Sequence, residues 1–228
     1  MKSSFIFCLV TIFIVTTLNI VSQSKQNLTE GEFMIDTKPA YTPTTGNQMR
    51  SDVAFDGTNF LVVWEDFRTY PPDIYAARVT QGGLVLDMGG IPICTFAEIQ
   101  SKPSVEYDGT NYLVIWQDYR NGTNNYDIYG ARVTPDGNVL DPDGFAITNA
   151  GNNQQEASLG FDGTNYLAVW TDYRSGGRDI YGARISPSGT VLDVSGIPIC
   201  TAPESPDYPS VEFDGTNYLV VWEQFNVS

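Results

Sequence analysis

The sequence predicts an all-β protein, a β-propeller of about four blades, each a sheet of four antiparallel strands. One sequence motif occurs four times with small changes, as FDGTNFLVVWEDFR, YDGTNYLVIWQDYR, FDGTNYLAVWTDYR and FDGTNYLVVWEQFN. The four tryptophans in these motifs are 52, 54 and 52 residues apart. Each repeat contains short strand patterns separated by turn residues, without helical periodicity. Sheets that are apolar on both faces must stack on copies of themselves, and radial stacking of such repeats is typical of a propeller.

The first 24 residues are expected to be a secretory signal peptide. Lys2 precedes an uncharged, mostly apolar stretch at residues 5–21, and Ser22 and Ser24 are small residues suited to cleavage. The alternative is an uncleaved membrane anchor, because a stretch of this length is near the lower limit for a membrane span. The polar segment that follows favours cleavage, so we expect a secreted or cell-surface protein.

Each repeat is predicted to contain four strands, which the second and third repeats illustrate. Residues 103–107 alternate apolar and polar side chains, and the Asp108-Gly109 pair that follows is typical of a hairpin turn. Residues 112–116 are apolar on both faces, which indicates a central strand. Residues 127–133 form the third strand, and residues 197–199 form an edge strand, where proline is tolerated.

The repeats give three whole blades and half of a fourth. They occupy, in order, residues 51–102, 103–156, 157–206 and, in part, 207–228. Residues 25–50 are expected to supply one or more closing strands, because residues 38–42 align with the outer strand at residues 144–148. We therefore predict a ring closed by a composite blade. An open partial propeller, cut from a longer chain, is the alternative.

Composition and charge exclude several classes of function. The chain has 12 Lys and Arg against 27 Asp and Glu, a net charge of −15, which disfavours nucleic acids and anionic membrane surfaces as partners. Histidine is absent, which excludes Ser-His-Asp and Cys-His catalysis and His-ligated zinc. No cofactor or metal is predicted. A calcium ion near Asp141 and Asp143 is a minor alternative, because further spaced oxygen ligands are lacking.

Charged residues also recur after each tryptophan. A catalytic acid pair has to break the symmetry of the repeat, whereas these carboxylates and arginines return in each of the three whole blades. We therefore expect arginine–carboxylate pairs that hold the loop bases, and no catalytic residues. The structural set comprises Trp64, Trp116, Trp170, Trp222, Asp66, Arg68, Asp118, Arg120, Asp172 and Arg174.

Length variation between the repeats is confined to the loops that follow the tryptophans, and the crossovers between repeats keep their length but differ almost completely in sequence. In an up-and-down blade both emerge at the same end, so one face of the propeller carries the diversity. Such a face often marks the binding site of a repeat protein. The binding candidates on it are Tyr70, Asn124, Tyr126, Arg178 and Tyr208.

The repeat resembles one found in large exported bacterial proteins, in which DGTNYLVVW, DIYGARV and a TPDGxVLD turn recur in tandem. The resemblance covers residues 51–226. It implies a propeller and a secreted or surface location, and it implies no activity and no ligand residues.

The function expected from the sequence is a secreted, non-catalytic binding or scaffolding module whose variable face docks a glycan or a protein. The first alternative is a carbohydrate-active enzyme on the same ring, which requires an unrepeated acid pair at the axis. The second is a structural spacer of a larger surface protein.

Overall fold

The computed structural model describes residues 46–122 and 125–225, and all regular structure in these ranges is β-strand. The strands form three four-stranded antiparallel sheets and one two-stranded sheet. The predicted all-β fold with four-stranded blades is therefore confirmed, as a partial propeller. These ranges contain no helix that could span a lipid bilayer. The predicted signal peptide lies outside them.

The strands follow one another in the order predicted. The first blade comprises β1 (Gln48–Phe55), β2 (Asn59–Asp66), β3 (Asp73–Thr80) and β4 (Ile91–Cys94). The second comprises β5 (Gln100–Tyr107), β6 (Tyr112–Asp118), β7 (Asp127–Val133) and β8 (Phe145–Thr148). The third comprises β9 (Gln154–Phe161), β10 (Tyr166–Asp172), β11 (Asp179–Ile185) and β12 (Ile197–Cys200). The half-blade comprises β13 (Ser205–Phe213) and β14 (Tyr218–Phe225).

The DGTN turns explain why the first two strands of each blade form a hairpin. Asp56 Oδ1 accepts hydrogen bonds of 2.7 Å from the backbone N–H groups of Thr58 and Asn59. Gly57 adopts a φ of 94°, which a residue with a side chain rarely takes. The same aspartate bonds recur in the other three hairpins, at Asp108, Asp162 and Asp214.

In the second and third blades, the second strand is central and packs against both neighbouring blades. In β6, Tyr112, Val114 and Trp116 belong to the core shared with the first blade. Leu113 and Ile115, which alternate with them, belong to the core shared with the third blade. All five are fully buried, as the two-sided apolar pattern predicted.

The first strand of each blade lies innermost. β1 contacts β5, β5 contacts β9, and β9 contacts β13, so these four strands surround the axis. At one end of the first blade Asp66 pairs with both Gln48 and Asp73, and Ile74 pairs with Cys94. The β2–β3 loops and the crossovers between blades therefore share this end, which we call the loop face.

The half-blade presents an apolar face that is covered in the complete blades. Leu219 in β14 is 65% exposed, whereas its counterpart Leu167 in β10 is buried against the half-blade.

The predicted closure of the ring by residues 25–50 concerns residues that lie mostly outside the described ranges. Within that segment β1 begins at Gln48, as the inner strand of the first blade. Cys94 and Cys200 are free thiols.

Candidate functional site

The repeated tryptophan, aspartate and arginine form one cluster in each complete blade. Trp116 Nε1 donates to Asp118 Oδ2 at 2.8 Å, and Arg120 donates to both oxygens of the same carboxylate at 2.8 and 2.6 Å. Arg120 Nη1 also donates to the carbonyl oxygen of Asp143 at 2.7 Å. These bonds tie the central strand to the turn before the outer strand. The equivalent clusters are Trp64, Asp66 and Arg68, and Trp170, Asp172 and Arg174.

Asp141, one of the two acids considered as an alternative calcium site, is paired with an arginine. Arg132 Nε and Nη2 donate to Asp141 Oδ2 and Oδ1 at 2.8 and 2.9 Å, so a calcium ion there would compete with a guanidinium. The same pairing recurs between Arg78 and Asp87. Across the described ranges, no three His, Cys, Asp or Glu side chains are grouped closely enough to hold a metal ion.

A β-bulge interrupts each inner strand near the loop face. The register shifts at 49–52, 101–104, 155–158 and 207–210. In each bulge one non-glycine residue adopts a left-handed φ between 50° and 55°. Such backbone strain persists only where the surrounding structure imposes it, and it clusters at functional sites. The four residues are Arg50, Lys102, Glu156 and Tyr208.

These four bulged residues occupy the same repeat position, yet each has a different chemistry. Together with Asp52 they line an open cavity of about 540 Å³ where the four inner strands meet at the loop face. We call this cavity the axial mouth. A guanidinium, an amine, a carboxylate and a phenol thus line one opening. Because each repeat has a different residue at this position, none of the four is needed to form a blade.

Buried side chains of one blade hold the bulge of the next. Glu65, fully buried, accepts hydrogen bonds from the backbone N–H of Lys102 at 2.7 Å and from Arg50 Nη1 at 2.8 Å. Gln117 Oε1 accepts the backbone N–H of Glu156 at 2.8 Å. Both residues directly follow a tryptophan, so the structural clusters also position the mouth.

The fourth side of the mouth is fixed through Asp207. Thr171 Oγ1 donates to Asp207 Oδ1 at 2.9 Å, and Arg178 Nε lies 3.4 Å from Asp207 Oδ2. The backbone N–H of Tyr208 also donates to Asp207 Oδ1, at 3.0 Å. The Tyr208 side chain is half exposed above this buried network.

The charges in the mouth are paired and oriented. The Lys102 ammonium contacts the Glu156 carboxylate. Burial lowers the pKa of Lys102, and the charge of Arg50 lowers it further. Asp52 accepts the backbone N–H groups of Val53 and Val105 at 2.9 and 3.0 Å, which fixes its carboxylate across two blades.

A further carboxyl group, that of Glu106 on β5, is not part of the lining of the mouth. Burial raises the pKa of Glu106, and repulsion from Glu212 and Asp52 raises it further, so these acids of three different blades act on one another. Glu106 Oε1 accepts the backbone N–H of Tyr107 at 3.0 Å. The equivalent residues are Ala54 and Gly160 in the first and third blades and Glu212 in the half-blade, so this acid occurs in two of the four repeats.

The structure separates the five predicted binding residues. Tyr208 lies in the axial mouth, and Arg178 lies behind it, bonded to the hydroxyl group of Tyr173 at 2.9 Å. Tyr70 lines a separate pocket in the first blade. Tyr126 is half-buried against the ring of Tyr119, and Asn124 lies outside the described residues.

Sequence reasoning missed the acids and cations of the inner strands. The sequence signal that could have found them is a contrast: the central strands of the four repeats are nearly identical, whereas the inner strands are dissimilar. Aligned at residues 49–55, 101–107, 155–161 and 207–213, these read MRSDVAF, SKPSVEY, QEASLGF and DYPSVEF. The bulged position differs in all four repeats, as Arg50, Lys102, Glu156 and Tyr208.

The comparisons with known proteins bear on the fold. The sequence matches no protein-family profile and no curated protein. The structure is similar to an endo-arabinase from Bacteroides thetaiotaomicron, with a TM-score of 0.55 and 14% identity, over 83% of this chain and 79% of that one. It is similar to a thermostable family-43 glycoside hydrolase, with a TM-score of 0.53 and 15% identity, over 78% and 65%.

A phage phi92 endosialidase also shares the fold, with a TM-score of 0.53 and 12% identity, over 76% of this chain and 30% of the other. This chain therefore spans less than two thirds of the family-43 hydrolase and less than a third of the endosialidase. At such low identities the likeness shows the fold alone.

Two findings overturn the prediction of a non-catalytic binding or scaffolding module, and with it the prediction that the chain is not an enzyme. The three solved structures named above are an endo-arabinase, a family-43 glycoside hydrolase and an endosialidase. The argument against an enzyme was that the axis lacks unrepeated acids. Asp52 and Glu156 line the mouth and have no acidic counterpart in the other repeats, so this argument was wrong.

Proposed function

We propose that this chain is a carbohydrate-active enzyme of the glycoside hydrolase class, acting at the axial mouth. The observation that carries the proposal is the unrepeated set of ionisable side chains around an open cavity on an otherwise repetitive scaffold. The hydrolases that share the fold support the same reaction class. An extracellular location, expected from residues 1–24, suits a polysaccharide substrate.

Glycoside hydrolysis requires two carboxyl groups whose environments favour opposite protonation states. We assign Glu106 as the general acid, because it lies on β5, the inner strand that contacts the strand of Asp52, and because burial and two neighbouring acids raise its pKa. We assign Asp52 as the partner carboxylate, because two backbone N–H groups hold it in place as an acceptor. The charge of Asp52 acts on Glu106, which is the relation that such a pair requires.

The remaining mouth residues are suited to holding a sugar. Arg50 and Lys102 offer N–H donors to ring oxygens and hydroxyl groups, and Glu156 offers acceptors. The half-exposed ring of Tyr208 offers an apolar face to the C–H side of a sugar ring. Because Glu65 and Gln117 fix the bulges from below, these groups are held before substrate arrives.

The test is release of reducing ends from arabinan, xylan, mannan and polysialic acid by the purified chain. We expect hydrolysis of at least one of them, with a loss of about 100-fold or more for Glu106→Gln and for Asp52→Asn. Asp136→Asn, in an exposed turn at the opposite face, is the matched control and is expected to retain full activity. No hydrolysis by the parent chain, or unchanged activity in both variants, would refute the assignment.

A further inference from the structure

A second pocket lies on the loop face of the first blade, apart from the axial mouth. It has a volume of about 390 Å³ and is bounded by the loop from Thr69 to Pro71 and by the crossover from Thr95 to Ala97. Asp73 and Tyr75 complete its lining. None of these residues lines the mouth.

Two exposed aromatic rings border this pocket. Tyr70 is 84% exposed, more than any other large hydrophobic side chain in the described ranges, and Phe96 is 44% exposed. Arg120 lies over the Phe96 ring, 4.5 Å from its centroid, and so holds that ring from one side. Exposed aromatic faces at a concave surface are costly in water and suit a ligand with apolar C–H faces.

The lining of the pocket also includes a buried carboxyl group. Asp73 Oδ2 accepts a hydrogen bond of 3.0 Å from Thr69 Oγ1. Burial raises the pKa of Asp73, and the nearby charge of Asp66 adds to the effect. Aromatic faces beside a carboxyl oxygen match the two chemistries of a sugar, its C–H face and its hydroxyl donors.

The third blade provides an internal comparison. It has a pocket of about 340 Å³ in the equivalent place, with Asp179 at the position of Asp73. Ala202 stands where the first blade has Phe96, and the loop at residues 175–178 contains no aromatic residue. The blade therefore does not need the two rings in order to fold.

We propose that the pocket of Tyr70, Phe96 and Asp73 is an accessory subsite that stacks a neutral sugar residue of a polysaccharide chain. A neutral sugar fits best, because the chain has a net charge of −15 and Asp66 and Asp73 lie close by. The proposal rests on the proposed action on glycans but places binding at a separate surface. Its role is to hold a long substrate while the axial mouth acts on it.

Affinity electrophoresis of the full chain tests the subsite, using gels that contain arabinan, xylan, mannan or polysialic acid. We expect retardation by at least one neutral polysaccharide and none by polysialic acid. Tyr70→Ala is expected to weaken the retardation about tenfold, as removal of an aromatic anchor does, and Phe96→Leu to weaken it less. Val194→Ala, which also trims an exposed apolar side chain, is the control and is expected to change nothing.

Two further outcomes separate this subsite from the proposed reaction. Unchanged retardation of Tyr70→Ala, or retardation of the parent by polysialic acid alone or by none of the four, would overturn the subsite, whatever the hydrolysis assay shows. Retardation that Tyr70→Ala weakens about tenfold supports the subsite even if no polysaccharide is hydrolysed. Hydrolysis of short, soluble oligosaccharides is expected to be equal in Tyr70→Ala and the parent, because such substrates do not span the two sites.

Discussion

At the scale of single residues, the tryptophan of each repeat is the anchor of its blade. Trp116 and Trp170 are fully buried, and the indole N–H of each is bonded to an aspartate that also binds an arginine. In the half-blade the same position is Trp222, which is 37% exposed and donates only to Gln224, at 3.2 Å. The repeated residue therefore has two very different environments.

This difference predicts unequal costs for the same substitution. Trp116→Ala is expected to lower the free energy of unfolding by about 3–5 kcal/mol, because it leaves a large cavity between packed sheets. Trp222→Ala is expected to cost about 1 kcal/mol. Urea denaturation of both variants measures the values. Equal losses would show that Trp222 is covered as completely as Trp116.

The residues of the core and of the turns were predictable because their signals are local. Alternation of apolar and polar residues indicates an inner strand, a segment that is apolar on both faces indicates a central strand, and a DGTN motif indicates a hairpin turn. Each of these signals lies within a few residues of the chain. The left-handed conformation of Lys102 was not predictable in this way. It arises from a register shift against β6 and from Glu65 of another blade, which no local pattern contains.

At the scale of elements, the connection between the third and outer strands is held by a repeated ion pair. In the second blade Arg132, on β7, binds Asp141 in the connection to β8 through its side chain and its backbone N–H. The hydrogen bond from Arg132 holds the pKa of Asp141 below its ordinary value of 3.8. The pairing links two strands that have a short ladder between them.

The lowered pKa predicts a dependence of stability on pH. The contribution of Asp141 is present above pH 3.8 and is lost as the pH falls through the lower value of the folded state. From about pH 5 to about pH 2.5, the free energy of unfolding is therefore expected to fall less in Asp141→Asn than in the parent chain. Urea denaturation at both pH values decides this, and an equal fall in the two proteins would contradict it.

The inner strands show why element-level prediction reached the fold but not the site. A blade needs its central strand to be apolar on both faces, so the sequence of this strand is nearly constant in all four repeats. The bulged positions of the inner strands lie outside the apolar core and differ in every repeat. Candidate binding residues were therefore sought in the loops, and only Tyr208 was found in the mouth.

At the scale of the whole molecule, the described residues form an arc of three blades and a half-blade. Each complete interface buries a pair such as Leu167 and Val169, whereas Leu219 and Val221 at the end of the arc are exposed. Closure of the ring by residues 25–50 stays a prediction. It requires this last face to be covered.

A matched pair of substitutions tests the state of that face. Leu167→Ala is expected to cost about 2–5 kcal/mol of unfolding free energy, because the residue lies in a packed interface. Leu219→Ala is expected to cost less than about 1 kcal/mol in an open arc. Chemical denaturation of the two variants distinguishes the arrangements. A large loss for Leu219→Ala would mean that another part of the chain, or another molecule, covers the half-blade.

The central claim is that activity resides in the axial mouth, where the four bulged residues hold the substrate for Asp52 and Glu106, and not in the repeated scaffold. The most direct measurement replaces Arg50, Lys102, Glu156 and Tyr208 together by asparagine, which tolerates the left-handed backbone that these residues adopt. We predict a protein that unfolds cooperatively, as the parent does, and releases no reducing ends from the polysaccharide that the parent hydrolyses. A folded variant that keeps the activity of the parent would contradict the account.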